Sequence, residues 1–247
     1  MAKERYLPLL FRQEAVLNSP HIARLNQLSR SYLEQQQVFK ALYPADDVRP
    51  WTFQKVAQIL AYYRLSLEYT TGILSRTDNL SKILEPARGM MVSAESGGAI
   101  LREYEQYITF SFFHVVFSSF ESSMRCIVGK VPVTNSRGKP CRETAKFYDI
   151  YHGLIDVAGL DDQYRTLFEL LLMMRNCIHN RSVYFSDKGS RSIVYKGVRY
   201  DFVNGKPVTF ATISLFFDFL TDIRDFFIAL YRSPRLTEEA HIPDNVL

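Results

Sequence analysis

Arg175 and His179 stand four residues apart in the string Arg-Asn-Cys-Ile-His-Asn, which follows the apolar run beginning at Leu170. On a helix that spacing stacks the two side chains as neighbours on one face. An imidazole that titrates near neutrality can take or give a proton. A guanidinium fork beside it can hold an oxyanion with a fixed geometry that an ammonium lacks. The pair is therefore suited to moving a proton next to a bound anion.

The placement of the pair is as informative as its chemistry. At about 100° per residue, Tyr164, Phe168, Leu171, Arg175, Ile178 and His179 fall within roughly 60° of one direction. That direction is the apolar stripe of the helix. An unpaired charge in such a stripe is costly. The helix end must therefore meet an acidic partner, another subunit or a charged ligand. Glu121 is a candidate partner, because it sits about 80° from the centre of its own helix's apolar stripe, at the core boundary.

The elements that position the pair are mostly helical. Residues 21–43 carry Ile22, Leu25, Leu28, Tyr32 and Leu33 at helical spacing, and 44–50 read as a turn. Pro50 opens a second helix through Val56, Ile59, Leu60, Tyr63, Leu67 and Tyr69. Residues 85–98, with Pro86, Gly89, Gly97 and Gly98, read as a break between helical layers. An aromatic-rich helix is expected over 100–127, a loop over 129–140, and helices over 143–157 and 161–180, the last capped by Asp161. The period changes over 183–208, where Val, Ile and Tyr alternate between Gly189, Gly197 and Asn204-Gly205, predicting one or two β-hairpins. A final helix is expected over 209–232, followed by a frayed tail. The fold class is mostly α, with a helical N-terminal region over 1–98, a helical bundle with an inserted hairpin over 99–232, and a tail over 233–247.

Composition narrows the class. The chain has 247 residues, 47% of them hydrophobic and 14% aromatic, enough for a well-buried core. Its net charge of +4 permits an anionic partner such as RNA without requiring one. The start, Met-Ala-Lys-Glu-Arg-Tyr, leads into no apolar signal region. The uncharged run over 106–120 is shorter than the ~20 residues a membrane span needs, so no membrane partner is expected. Cys126, Cys141 and Cys177 form no C-x-x-C pair, which fits a reducing cytoplasm. His114 has no second His or Cys at ligand spacing and reads as a core-boundary residue, so neither a metal nor another cofactor is expected. Phosphate-binding, dinucleotide, zinc-protease and serine-hydrolase motifs are missing.

The Arg175-to-Asn180 string at the end of an apolar helix resembles the signature of the HEPN superfamily. The long helix carrying Phe120-Glu121 and Met124-Arg125 is similar to the opening helix of that fold. The resemblance covers roughly residues 100–232. It implies an all-α bundle, a homodimer with a composite Arg/His site, and metal-independent cleavage of RNA. It makes His179 the general acid/base, Arg175 the phosphate-binding cation and Asn176 the polar residue that follows the motif Arg, with Glu121 and Asn180 in support. It also implies a toxin or anti-phage defence effector, with a possible antitoxin or defence partner protein. In the family, four to six residues separate Arg from His; here three do. The toxin branch regulated by modification has Tyr two residues after the His, where this chain has Arg181.

Other readings stay open. The family also contains non-catalytic modules that bind RNA or a nucleotide, or that act as scaffolds. Arg175 could be neutralised by Glu121 in a purely structural interaction protein, with His179 facing the negative end of its helix and Asn180 as cap. Arg181, Lys188, Arg191, Lys196 and Arg199 could track a phosphate backbone or belong to a solvated hairpin.

Overall fold

A computed structural model describes residues 19–70, 94–135, 137–180 and 182–244, together with Gly72 and Lys82. Among these residues the fold is mostly helical, with seven helices and one two-stranded antiparallel sheet. No described helix is long and apolar enough to cross a membrane.

Helices α1 (Ser19–Lys40) and α2 (Val48–Tyr69) form an antiparallel hairpin. Phe39 and Phe53 stack across it at 5.3 Å, and Tyr231 closes on both rings at 5.5 and 5.9 Å. Buried hydroxyls there are paired: Tyr32 donates to the Leu220 carbonyl, and Tyr231 shares a hydrogen bond with Thr52. Next comes α3 (Ala94–Val128), 35 residues long. Its buried positions, Phe113, Val116, Phe117, Phe120, Met124 and Ile127, recur at helical spacing, so one face enters the core. The predicted break over 85–98 is corrected in part. Gly97 and Gly98 lie inside α3, while 85–93 lie outside the described residues.

Helices α4 (Phe147–Ala158), α5 (Gln163–His179) and α6 (Ile213–Tyr231) complete the bundle. Phe117 and Phe120 of α3, Phe147 of α4, Phe168 of α5 and Phe226 of α6 form a continuous set of rings. This aromatic core fixes how α3 and α5 meet. Gly153 on α4 is required by a close approach, since a Cβ there would stand 2.3 Å from a Val133 methyl and 2.8 Å from the Thr134 carbonyl oxygen.

Strands β1 (Arg191–Tyr195) and β2 (Val198–Phe202) form a single hairpin, with Arg191 opposite Phe202 and Tyr195 opposite Val198. Its turn residues Lys196 and Gly197 both have positive φ, 49° and 77°, as the two-residue turn that matches strand twist demands. Ile193, Tyr195, Tyr200 and Phe202 face inward.

Residues 234–244 are not frayed, contrary to the sequence expectation for the tail, and 245–247 lie outside the described residues. Helix α7 (Pro234–Thr237) buries Leu236, and the chain then pairs with the α1–α2 turn. Asp47 and Arg49, both with fully buried side chains, form an ion pair at 2.6 Å. The Arg49 guanidinium donates to the Leu236 and Glu239 carbonyls at 3.0 Å each, and Asp47 accepts from the Ile242 N–H at 2.9 Å. The sequence pattern missed this because the attraction is non-local and polar, not periodic.

Candidate functional site

Arg175 and His179 lie one turn apart at the C-terminal end of α5. Opposite them, α3 presents Phe117 and His114, so the two helices face each other antiparallel at this point. The Arg175 guanidinium carbon sits 5.1 Å from the centre of the Phe117 ring. The His114 and His179 rings meet edge to face at 5.3 Å and 90°. The Arg on an apolar stripe is thus explained locally: its planar cation rests on an aromatic face. None of the three partners expected from the sequence is needed to place it there.

Arg175 is half-buried, and among the described residues no carboxylate pairs with it. Its Nε is buried without a hydrogen-bond partner. Glu121, expected as its counter-ion, is engaged elsewhere, bonding Arg125 one turn along α3 at 2.5 Å. Arg125 in turn donates to the Ala145 carbonyl at 3.0 Å and to the Glu143 carbonyl. Glu121 therefore helps hold the segment before α4 and leaves Arg175 free of negative charge.

His179 is exposed, yet its pKa lies below the ordinary imidazole value. Partial desolvation is the largest cause, followed by the nearby charges of Arg175 and His114. The imidazole is therefore held neutral near pH 7, ready to accept a proton. The sequence placed His114 at the core boundary and gave it no role. The structure makes it the third member of the cluster. Periodicity could show that His114 borders the apolar stripe of its helix. It could not give the register of α3 against α5, which depends on aromatic packing between distant residues.

The remaining predicted site residues separate. Asn176 points about a quarter turn round α5 from Arg175 and lines a different, polar cavity with Leu172 and Met173. Asn180 is the exposed C-cap of α5, its N–H reaching the Cys177 and Ile178 carbonyls. Arg181 lies outside the described residues. Arg191, Lys196 and Arg199 pair with Glu169, Asp222 and Asp201 while staying more than half exposed. Lys188 has no carboxylate partner among the described residues and lines the cavity that Asn176 borders. Cys177 is buried, and burial pushes its thiol up to about 12, which makes it inert. Among the described residues, no three His, Cys, Asp or Glu side chains converge closely enough to hold a metal ion.

The chain was compared with protein-family models, with curated proteins and with solved structures, and it matches none of them.

Proposed function

We propose that the protein is a metal-independent endoribonuclease of HEPN type. Its site is built from Arg175, His179 and His114, with no cofactor. The observation that carries this reading is the contact of two imidazoles beside a guanidinium that no carboxylate among the described residues neutralises. Cleavage of RNA through its own 2′-hydroxyl needs one group to take the 2′-OH proton and one to protonate the leaving oxygen. It also needs a fixed cation at the phosphoryl oxygens.

In this scheme neutral His179 takes the 2′-OH proton. The 2′-oxygen then forms a bond to phosphorus as the bond from phosphorus to the 5′-oxygen breaks. His114, acting in its protonated form, gives its proton to the leaving 5′-oxygen, so one imidazole gains a proton as the other loses one. Arg175 holds the non-bridging oxygens through its guanidinium, whose half-buried setting makes a hydrogen bond to an anion strong. The products are a 2′,3′-cyclic phosphate and a 5′-hydroxyl end.

The reading includes a homodimer. His114 shares its face of α3 with Tyr107, two turns earlier, which is 67% exposed. That apolar surface beside the site is where a second copy would join two Arg/His sets into a composite site. A toxin or anti-phage setting, with an antitoxin or defence partner, follows from the family resemblance.

The mechanism is tested with a labelled RNA and a matched strand carrying one 2′-deoxynucleotide at the mapped cleavage position. Cleavage that leaves cyclic-phosphate ends, stops at the deoxy position and is lost in His114→Ala supports the scheme. Equal cleavage of both strands refutes it. Binding without turnover by a folded dimer points instead to a non-catalytic RNA-binding module.

A further inference from the structure

A polar cavity of about 660 Å³ opens on the neighbouring face of α5, against α4 and the start of the hairpin. That volume is within the range of small-molecule sites. Its wall carries Arg137, Lys146, Lys188 and Arg191 against the carboxylates of Asp149 and Glu169, an excess of two positive charges. Glu169 is taken by Arg191 at 2.5 Å. Arg137, Lys146 and Lys188 hold no carboxylate among the described residues.

Two further features point to an anion. Helix α4 begins at this cavity, with Lys146 as its N-cap and no side chain capping the first turn. Free N–H groups and the positive end of a helix favour a phosphate there. On the same wall, Tyr151 is 0% exposed, and its hydroxyl is buried without a hydrogen-bond partner. A buried hydroxyl without a partner is costly, and a bound ligand would satisfy it. Tyr148 is 45% exposed at the rim and presents an aromatic ring to whatever carries the anion.

We propose that this cavity binds a small phosphate monoester, with its dianion at the start of α4 among Arg137, Lys146 and Lys188. A monoester carries close to two negative charges at neutral pH, matching the excess on the wall. The Tyr151 hydroxyl donates to a ligand oxygen, and the Asp149 carboxylate, which pairs with no cation among the described residues, accepts from a hydroxyl or amine of the carrier. The site is distinct from the Arg175–His179–His114 cluster and does not depend on RNA cleavage.

The test is calorimetric titration of the full-length protein with a nucleoside 5′-monophosphate, with ribose 5-phosphate and with inorganic phosphate. Lys188→Glu, Arg137→Glu and Tyr151→Phe are run alongside. Saturable binding of a monoester is expected. It should weaken at least about tenfold in either charge-reversal variant, because each loses a charge-assisted contact. Tyr151→Phe should weaken it several-fold while leaving the fold intact. A nucleotide binding much more tightly than the sugar phosphate assigns the carrier to an aromatic base on Tyr148. Equal affinities assign it to the phosphate and sugar alone. No binding of either ester, binding no tighter than inorganic phosphate, or affinities indifferent to Lys188 and Arg137 would overturn the proposal.

Discussion

Removing the carboxylate of Asp47 probes the lock between the C-terminal segment and the α1–α2 turn. The Asp47 side chain accepts from the Arg49 N–H at 2.9 Å, from Arg49 Nε at 2.8 Å, from Arg49 Nη2 at 2.6 Å and from the Ile242 N–H at 2.9 Å. Both side chains are fully buried. Asp47→Ala strips all four acceptances and strands a buried cation on carbonyl oxygens and on the Tyr43 ring, 3.3 Å away. Breaking such a pair costs about 3–5 kcal/mol. For a chain of this size that corresponds to a fall in Tm of roughly 6–20 °C. Denaturant and thermal unfolding measure the loss, and limited proteolysis reports whether residues 234–244 detach first. The double variant Asp47→Ala with Arg49→Met removes the stranded charge and is expected to be no less stable than the single one. A single variant that loses under about 1 kcal/mol, or a double variant costing the sum of its parts, would refute the reasoning.

Gly153→Ala places a methyl against Val133 and the Thr134 carbonyl and should destabilise by about 1–3 kcal/mol, read from the denaturation midpoint. By NMR titration His179 should titrate below the ordinary imidazole range, and Arg175→Met should raise it, because the guanidinium is one of the causes of the depression. The sign for stability follows from proton binding. The unfolded imidazole protonates first as pH falls below ~6.5, so this group lowers stability between that point and its folded value and adds no pH dependence above it. Cys177 should resist thiol reagents at pH 8 until the protein unfolds, since burial pushes its thiol up to about 12, and rapid native labelling would contradict its burial.

The helices and the hairpin were legible because they are local. Apolar spacing marked α1, α2, α5 and α6, and Gly197 with its alternating flanks marked the hairpin turn. The pairing of Arg175 with His179 was equally legible, since helix geometry alone puts them on one face. What the sequence hid was non-local. Glu121 is an exception, because Arg125 stands four residues further along the same helix and that i,i+4 pair was legible in the spacing. The meeting of His114 with His179, and of Phe117 with Arg175, depends on how α3 crosses α5. The buried Asp47–Arg49 pair joins residues near one end of the chain to carbonyls near the other, with no periodic signal at either.

The most direct test of the central claim is RNA cleavage by the purified protein in excess EDTA, with His179→Ala in parallel. The account predicts cleavage by the unaltered protein that persists in EDTA and is lost in the variant, which should remain folded because His179 is exposed. Cleavage that EDTA abolishes, or that His179→Ala retains at full rate, would contradict it.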